Sequence, residues 1–218
     1  MAILTFQEAF KKSRLKHLQR HYSTMRYPSF TFTLPDWLMN FSPRETSFPE
    51  IQSRMELAIE LSRLNVVHET GGPFAAAIFD INSHQLLAPG VNIVVPARCS
   101  ILHAEIVAIM TAQRIVDHFT LGSDPAVDYE MVVSTEPCAM CFGAIPWSGI
   151  RRLVCGARRE DAERIGFDEG PKPVNWVESL ENRGIVVTRD VCREQAASVL
   201  QDYHESGGII YTGHKSTI

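Results

Sequence analysis

His103, Glu105, Cys138 and Cys141 give this chain a metal-site pattern. They stand as His103-Ala104-Glu105 and, further along, Pro137-Cys138-Ala139-Met140-Cys141. One imidazole and two thiolates supply three zinc ligands. A three-ligand set leaves the fourth position to water, as catalytic zinc requires and structural zinc does not. Glu105 is too close in sequence to His103 for a comfortable fourth ligand, but well placed to carry protons for a water on the metal. A structural knuckle would need a second Cys-x-x-Cys or a His pair, and Cys99, Cys155 and Cys192 lack that spacing.

The local sequence explains why these residues would act together. Cys138 and Cys141 stand at i and i+3, so one helical turn points both sulfurs the same way. The positive end of the helix dipole favours thiolate over thiol there. Pro137 presets the first turn without wasting an amide donor. On its own, His-Ala-Glu is an ordinary helix turn; the pairing with Pro-Cys-x-x-Cys makes it the signature of zinc-dependent nucleobase deaminases.

Elements that could carry these groups follow from periodicity. Ile51, Met55, Ile59, Leu61 and Leu64 mark a helix over residues 50–68, which Gly71-Gly72-Pro73 ends. Strands are predicted over 74–80, 85–95, 129–134, 152–156 and 184–189. Helices are predicted from about Ser100 to His118, over 138–147 and over 191–206. This order implies an α/β fold, a three-layer α/β/α sandwich around a central five-stranded mixed sheet. Residues 1–24 read as a basic, weakly amphipathic helix. Residues 27–48, with Pro28, Pro35 and Pro43 among Phe30, Phe32, Trp37 and Phe41, and Pro49 just beyond, read as an extended arm packed on the body. The expected organisation is an N-terminal extension over 1–48 and one catalytic domain over 49–218.

Composition narrows the partners. The first 26 residues carry +5 within an overall charge of −4, so the remainder carries −9. An acidic body argues against a polyanionic substrate such as tRNA. No apolar run approaches a membrane span, and none resembles a secretory signal. Five cysteines, two in a metal spacing, point to a reducing, cytoplasmic setting.

The chain resembles the cytidine-deaminase superfamily and, within it, the bacterial guanine deaminases of that fold. The residues that carry the likeness are Gly71 to Ala77, Gly90-Val91-Asn92, His103 to Ile106, Glu136 to Ala144, Trp147-Ser148-Gly149 and Phe167-Asp168-Glu169-Gly170-Pro171. The resemblance implies a cytidine deaminase-like fold, one zinc per subunit, a homodimer and hydrolysis of guanine to xanthine and ammonia. Guanosine, cytosine, cytidine, a triazine or a tRNA adenosine are the alternative substrates, and a non-catalytic zinc protein is the alternative class. Glu105 is then the main proton carrier. Glu169 is implied as a second one, although by itself it reads equally as an acidic turn; Asp168 reads as a turn former. Asn92 is implied to bind substrate, with a strand-end cap as the plain reading. Phe74 and Phe142 could sandwich a base, though Phe74 also suits core packing. Trp147 and Tyr211 complete the candidate pocket, and the role of Glu136 stays open.

Overall fold

The computed structural model describes residues 31–43 and 45–212, and the compact unit treated below begins at Leu34. The expected helix over 1–24 lies outside the described residues. In the arm, a short helix α1 (Asp36–Met39) replaces part of the expected extended chain. Trp37 Nε1 donates to the Thr70 hydroxyl, and Phe48 packs on Phe79. Helix α2 (Ile51–Val67) follows, then strands β1 (Ala75–Asp80) and β2 (Leu86–Val91). The remaining elements are α3 (Val94–Ala97), α4 (Ala104–Ile115), β3 (Tyr129–Thr135), α5 (Ala139–Ser148), β4 (Arg152–Ala157), α6 (Arg159–Arg164), α7 (Trp176–Glu181), β5 (Val186–Thr188) and α8 (Arg193–Glu205).

The five strands form one mixed sheet in the order β2-β1-β3-β4-β5. β1 is antiparallel to β2 and β3, whereas β3-β4 and β4-β5 are parallel. Side chains alternate across the sheet. Ala76, Ile78, Met131, Val133, Leu153 and Cys155 join α4, α5 and α7 in one buried cluster. Helices α2 and α8 pack on the strands as well as on each other. Arg54 of α2 pairs with buried Glu130 of β3 at 2.6 Å and donates to the carbonyls of Phe48 and Pro49. The expected α/β sandwich is therefore the observed fold.

Two glycines set how closely the site elements approach. A Cβ at Gly90 would stand 2.4 Å from the Ala104 carbonyl and the Ala108 amide, so only glycine lets α4 rest on β2. A Cβ at Gly71 would lie 1.8 Å from the Asn92 carbonyl, which brings the Gly71 turn hard against the end of β2. The expected strand over 85–95 ends at Val91, because residues 94–97 turn into α3.

Candidate active site

His103 and Cys138 occupy equivalent places. Each is the extended residue immediately before a helix, His103 before α4 and Cys138 before α5. The expected helix start near Ser100 therefore shifts to Ala104, and that shift leaves His103 outside the helix and facing the second helix start. Cys141 lies one turn into α5 and is fully buried. The Cys138 Sγ and His103 Nδ1 atoms are 3.6 Å apart, and the ligand atoms of His103, Cys138 and Cys141 all lie within 4.8 Å of one another. Nitrogen and sulfur ligands on one tetrahedral zinc stand roughly 3.5–3.8 Å apart, so the trio fits such an ion. Two thiolates and an imidazole are also a donor set that suits zinc.

Protonation in the ion-free cluster points the same way. The hydrogen bond from the Cys141 thiol, working against burial and helped by His103, pushes Cys138 down to about 4. That same bond, with burial, pushes Cys141 up. Burial alone would lower His103, but Cys138 and the carboxyls of Glu105 and Glu169 outweigh it.

Glu105 lies in the first turn of α4, buried, beside Cys141. Burial, then the Cys138 thiolate, raises its carboxyl above the usual range. Glu169 is buried in the loop after α6 and faces the same cleft. Burial first, then Cys138 and Glu105, push it up to about 8 against the opposing pull of Lys172. Two carboxyls with raised affinity for protons thus flank one metal-ligand set, an arrangement suited to acid and base work. Asp168 accepts the Gly170 amide at 2.9 Å, the expected turn-forming contact.

The cleft between these groups holds about 460 Å³ of empty space, part of it open to solvent. Phe74, Asn92 and Tyr211 line it together with His103, Glu105, Cys138 and Glu169. Asn92 is buried one residue past β2; its Nδ2 donates to the Tyr211 hydroxyl at 2.7 Å, and its Oδ1 accepts the Val94 amide. It therefore caps a chain turn and faces the cleft as well. Phe74 meets Phe167 edge to face with ring centres 4.8 Å apart, and Tyr211 packs edge to face on both Phe167 and His103.

Two expected pocket residues stand elsewhere. Phe142 packs against the core cluster and does not line the cleft. Trp147 is 83% exposed on the outside of α5. Successive helical residues are about 100° apart, so with Cys141 facing inward neither Phe142 nor Trp147 can share its direction. Phe167, and not Phe142, is the cleft aromatic beside Phe74, which it meets edge to face. Thr135 is a cleft residue that the sequence did not single out. Among the described residues its Oγ1 is the one buried side-chain oxygen or nitrogen without a hydrogen-bond partner.

Similar proteins share this architecture. A family model, the cytidine and deoxycytidylate deaminase zinc-binding region, matches residues 49–157. The chain is 32% identical over 115 residues to the guanine deaminase of Bacillus subtilis (strain 168), covering 53% of this chain and 69% of that one. Among solved structures, the guanine deaminase from Nitrosomonas europaea is 45% identical, covers 83% of this chain and 99% of its own, and superimposes with a TM-score of 0.78. A mutant of the protein NE0047 in complex with 8-azaguanine is 46% identical over 84% of this chain and 99% of that one, with a TM-score of 0.77.

Proposed function

The chain belongs to the cytidine and deoxycytidylate deaminase zinc-binding family, and from that premise we propose that it is a guanine deaminase, hydrolysing guanine to xanthine and ammonia. The observation that carries this reading is the meeting of Glu105 and Glu169 with the His103, Cys138 and Cys141 group in one buried cleft. The likeness to the two guanine deaminases supports the choice of base. So does the purine analogue 8-azaguanine bound to the NE0047 mutant.

His103, Cys138 and Cys141 would hold one zinc ion per chain, which supplies a water acidified towards neutrality. Glu105 is the base that takes a proton from the attacking water and returns it to the ring nitrogen beside C2. Glu169 is the acid that protonates the amine as its bond to C2 breaks, and it recovers a proton from the new C2 hydroxyl as the carbonyl forms. One water is consumed and one ammonia leaves, so both carboxyls end the cycle as they began. Asn92 offers an amide to the edge of the base. Phe74 and Phe167 offer ring surface to its face.

Residues 49–218 form the deaminase domain on this reading, with 1–48 as its extension. The protein acts as a homodimer. Met140 and Trp147 support this, because two exposed apolar side chains seven residues apart share one stripe of α5. Among the described residues no helix is long and apolar enough to cross a membrane.

Ammonia release measured in parallel on guanine, guanosine, cytidine, cytosine and adenosine tests the assignment. Guanine is expected to give the highest kcat/KM. Release from a pyrimidine or from adenosine, with none from guanine, would sink it.

A further inference from the structure

Glu136 precedes the Pro137-Cys138 turn, lines the cleft and is buried, yet the chemistry above gives it no task. Its carboxylate is committed on both sides. Arg189 donates to Oε1 through Nε at 2.6 Å, while the Arg159 amide and Lys172 Nζ face Oε2 at 3.4 and 3.5 Å. With both oxygens held in this way, its geometry suits a brace.

We propose that Lys172, braced by Glu136, is a positioning residue that clamps the Glu169 turn onto the start of α5, and that turnover depends on it through Glu169. The proposal rests on the reading that Glu169 handles a proton. Lys172 Nζ donates to the Pro137 carbonyl at 2.9 Å and lies 4.3 Å from the centre of the Trp176 ring. Both charged side chains of the Lys172–Glu136 pair are 2% exposed. A buried ion pair contributes little net stability, because desolvation offsets its attraction. Its position says more. The Glu169 turn touches α5 at two ties: the Ala139 amide donates to the Glu169 carbonyl at 2.9 Å, and Lys172 reaches Pro137. Between them the Lys172 amide closes a tight turn on the Gly170 carbonyl. Gly170 has φ +69, and a Cβ there would come within 3.1 Å of the Ala139 side chain, so the turn lies directly on the helix start. Without Lys172, the Ala139–Glu169 bond is the one backbone hydrogen bond among the described residues that still joins this turn to α5. Arg189 stands just past β5 and also lies over the Trp176 ring at 5.5 Å, which ties the brace to the sheet.

The test compares Lys172→Met, Glu169→Gln and the double variant in the zinc-loaded full-length protein, with guanine as substrate. Lys172→Met is expected to lower kcat by about 10- to 100-fold with metal content unchanged, as small misplacements of a reacting group do. KM should move by less than about threefold, since ground-state binding is untouched. In the Glu169→Gln background the same change should cost no more than about twofold, because groups that act as one unit are not additive. Hydrogen exchange at the Ala139 amide should quicken in Lys172→Met. Equal losses in both backgrounds would mean a general structural role and overturn the clamp. So would wild-type kcat in Lys172→Met alongside a damaged Glu169→Gln. Unchanged kcat in Glu169→Gln itself would instead overturn the proton role of Glu169, and with it the catalytic part of the clamp. Glu136→Gln keeps an acceptor beside Lys172 and serves if Lys172→Met does not fold; it should show the same background dependence with a smaller loss.

Discussion

The floor of the cleft is two helix starts, and its roof is a loop and a tail. His103, Glu105, Cys138 and Cys141 sit within one turn of the beginnings of α4 and α5, and both helices pack on the sheet. Glu169, Phe167 and Tyr211 come from irregular segments held by a few hydrogen bonds and ring contacts. The floor is rigid because its backbone is used twice, in the helix and in the core. Such a division gives the floor the metal ligands and the attack on the base, and leaves the roof to finish the proton transfers.

The sharpest way to test that division is to remove one carboxyl from each side. Glu105→Gln should lower kcat by about 10³- to 10⁴-fold, the upper range for loss of a positioned acid or base. Zinc content should stay at the wild-type level, because Glu105 is not in the ligand group. Metal analysis beside ammonia release checks both halves; near-normal turnover would remove Glu105 from the mechanism. Glu169→Gln, on the roof, should cost about 10²-fold in kcat, again with zinc retained.

Glu169 also carries a pH signature in the metal-free protein. Its carboxyl is pushed up to about 8 from an ordinary 4.5. The folded state therefore holds this proton more tightly than the unfolded chain. The corresponding stability is present below pH 4.5 and lost as pH rises towards 8. Cys138 is pushed down and so works in the opposite sense, which makes the difference between variants the quantity to measure. Thermal melts of the metal-free proteins should show wild type losing stability relative to Glu169→Gln as pH rises through that window. A flat or rising difference would contradict the buried, charge-crowded setting of this residue.

A smaller effect belongs to the base-holding contacts. Asn92→Ala removes the amide that faces the cleft and leaves the Tyr211 hydroxyl without its donor. The expected loss is about 10- to 100-fold in kcat/KM for guanine, in line with about 1–3 kcal/mol for a buried polar group left unpaired. Tyr211→Phe should cost less, since Asn92 keeps its amide for the base. The reverse ranking would move the main recognition contact from the end of β2 to the tail.

The same division explains what could be read from the sequence. Floor residues announce themselves because short spacings at a helix start deliver two side chains to one place. Cys138 and Cys141 are three apart, and His103, just outside α4, stands two before Glu105. The sheet was also legible, since its strands are short apolar runs between turn residues. Errors came where a local pattern permits two structures. Ile93, Val94 and Val95 read as a continuation of β2 but turn into α3. Helices α6 and α7 have six residues each, too few to show an apolar period, and went unread. Roof and brace residues depend on distant partners that no spacing reveals. Lys172 meets Glu136 across 36 positions, and Asn92 meets Tyr211 across 119. Phe142 and Trp147 were placed in the pocket for being aromatic and near the ligands, and helical geometry turns them away.

Helix α5 carries the last and smallest expected effect, because its two faces differ as floor and exterior do. Cys141 and Ile145 face inward and are fully buried, while Met140 and Trp147 are exposed. A Cβ at Gly143, between them on the outer stripe, would meet nothing within 4 Å. Trp147→Ala should therefore leave kcat/KM for guanine within about twofold, the range of a surface change away from the site. If α5 is the contact of the homodimer proposed above, Trp147→Glu, measured by light scattering, should shift the protein from two chains towards one, because a charge in an apolar contact is costly to desolvate. A large loss of activity in Trp147→Ala with an unchanged dimer would bring this tryptophan back to the cleft. An unchanged mass in Trp147→Glu would move the subunit contact to another face.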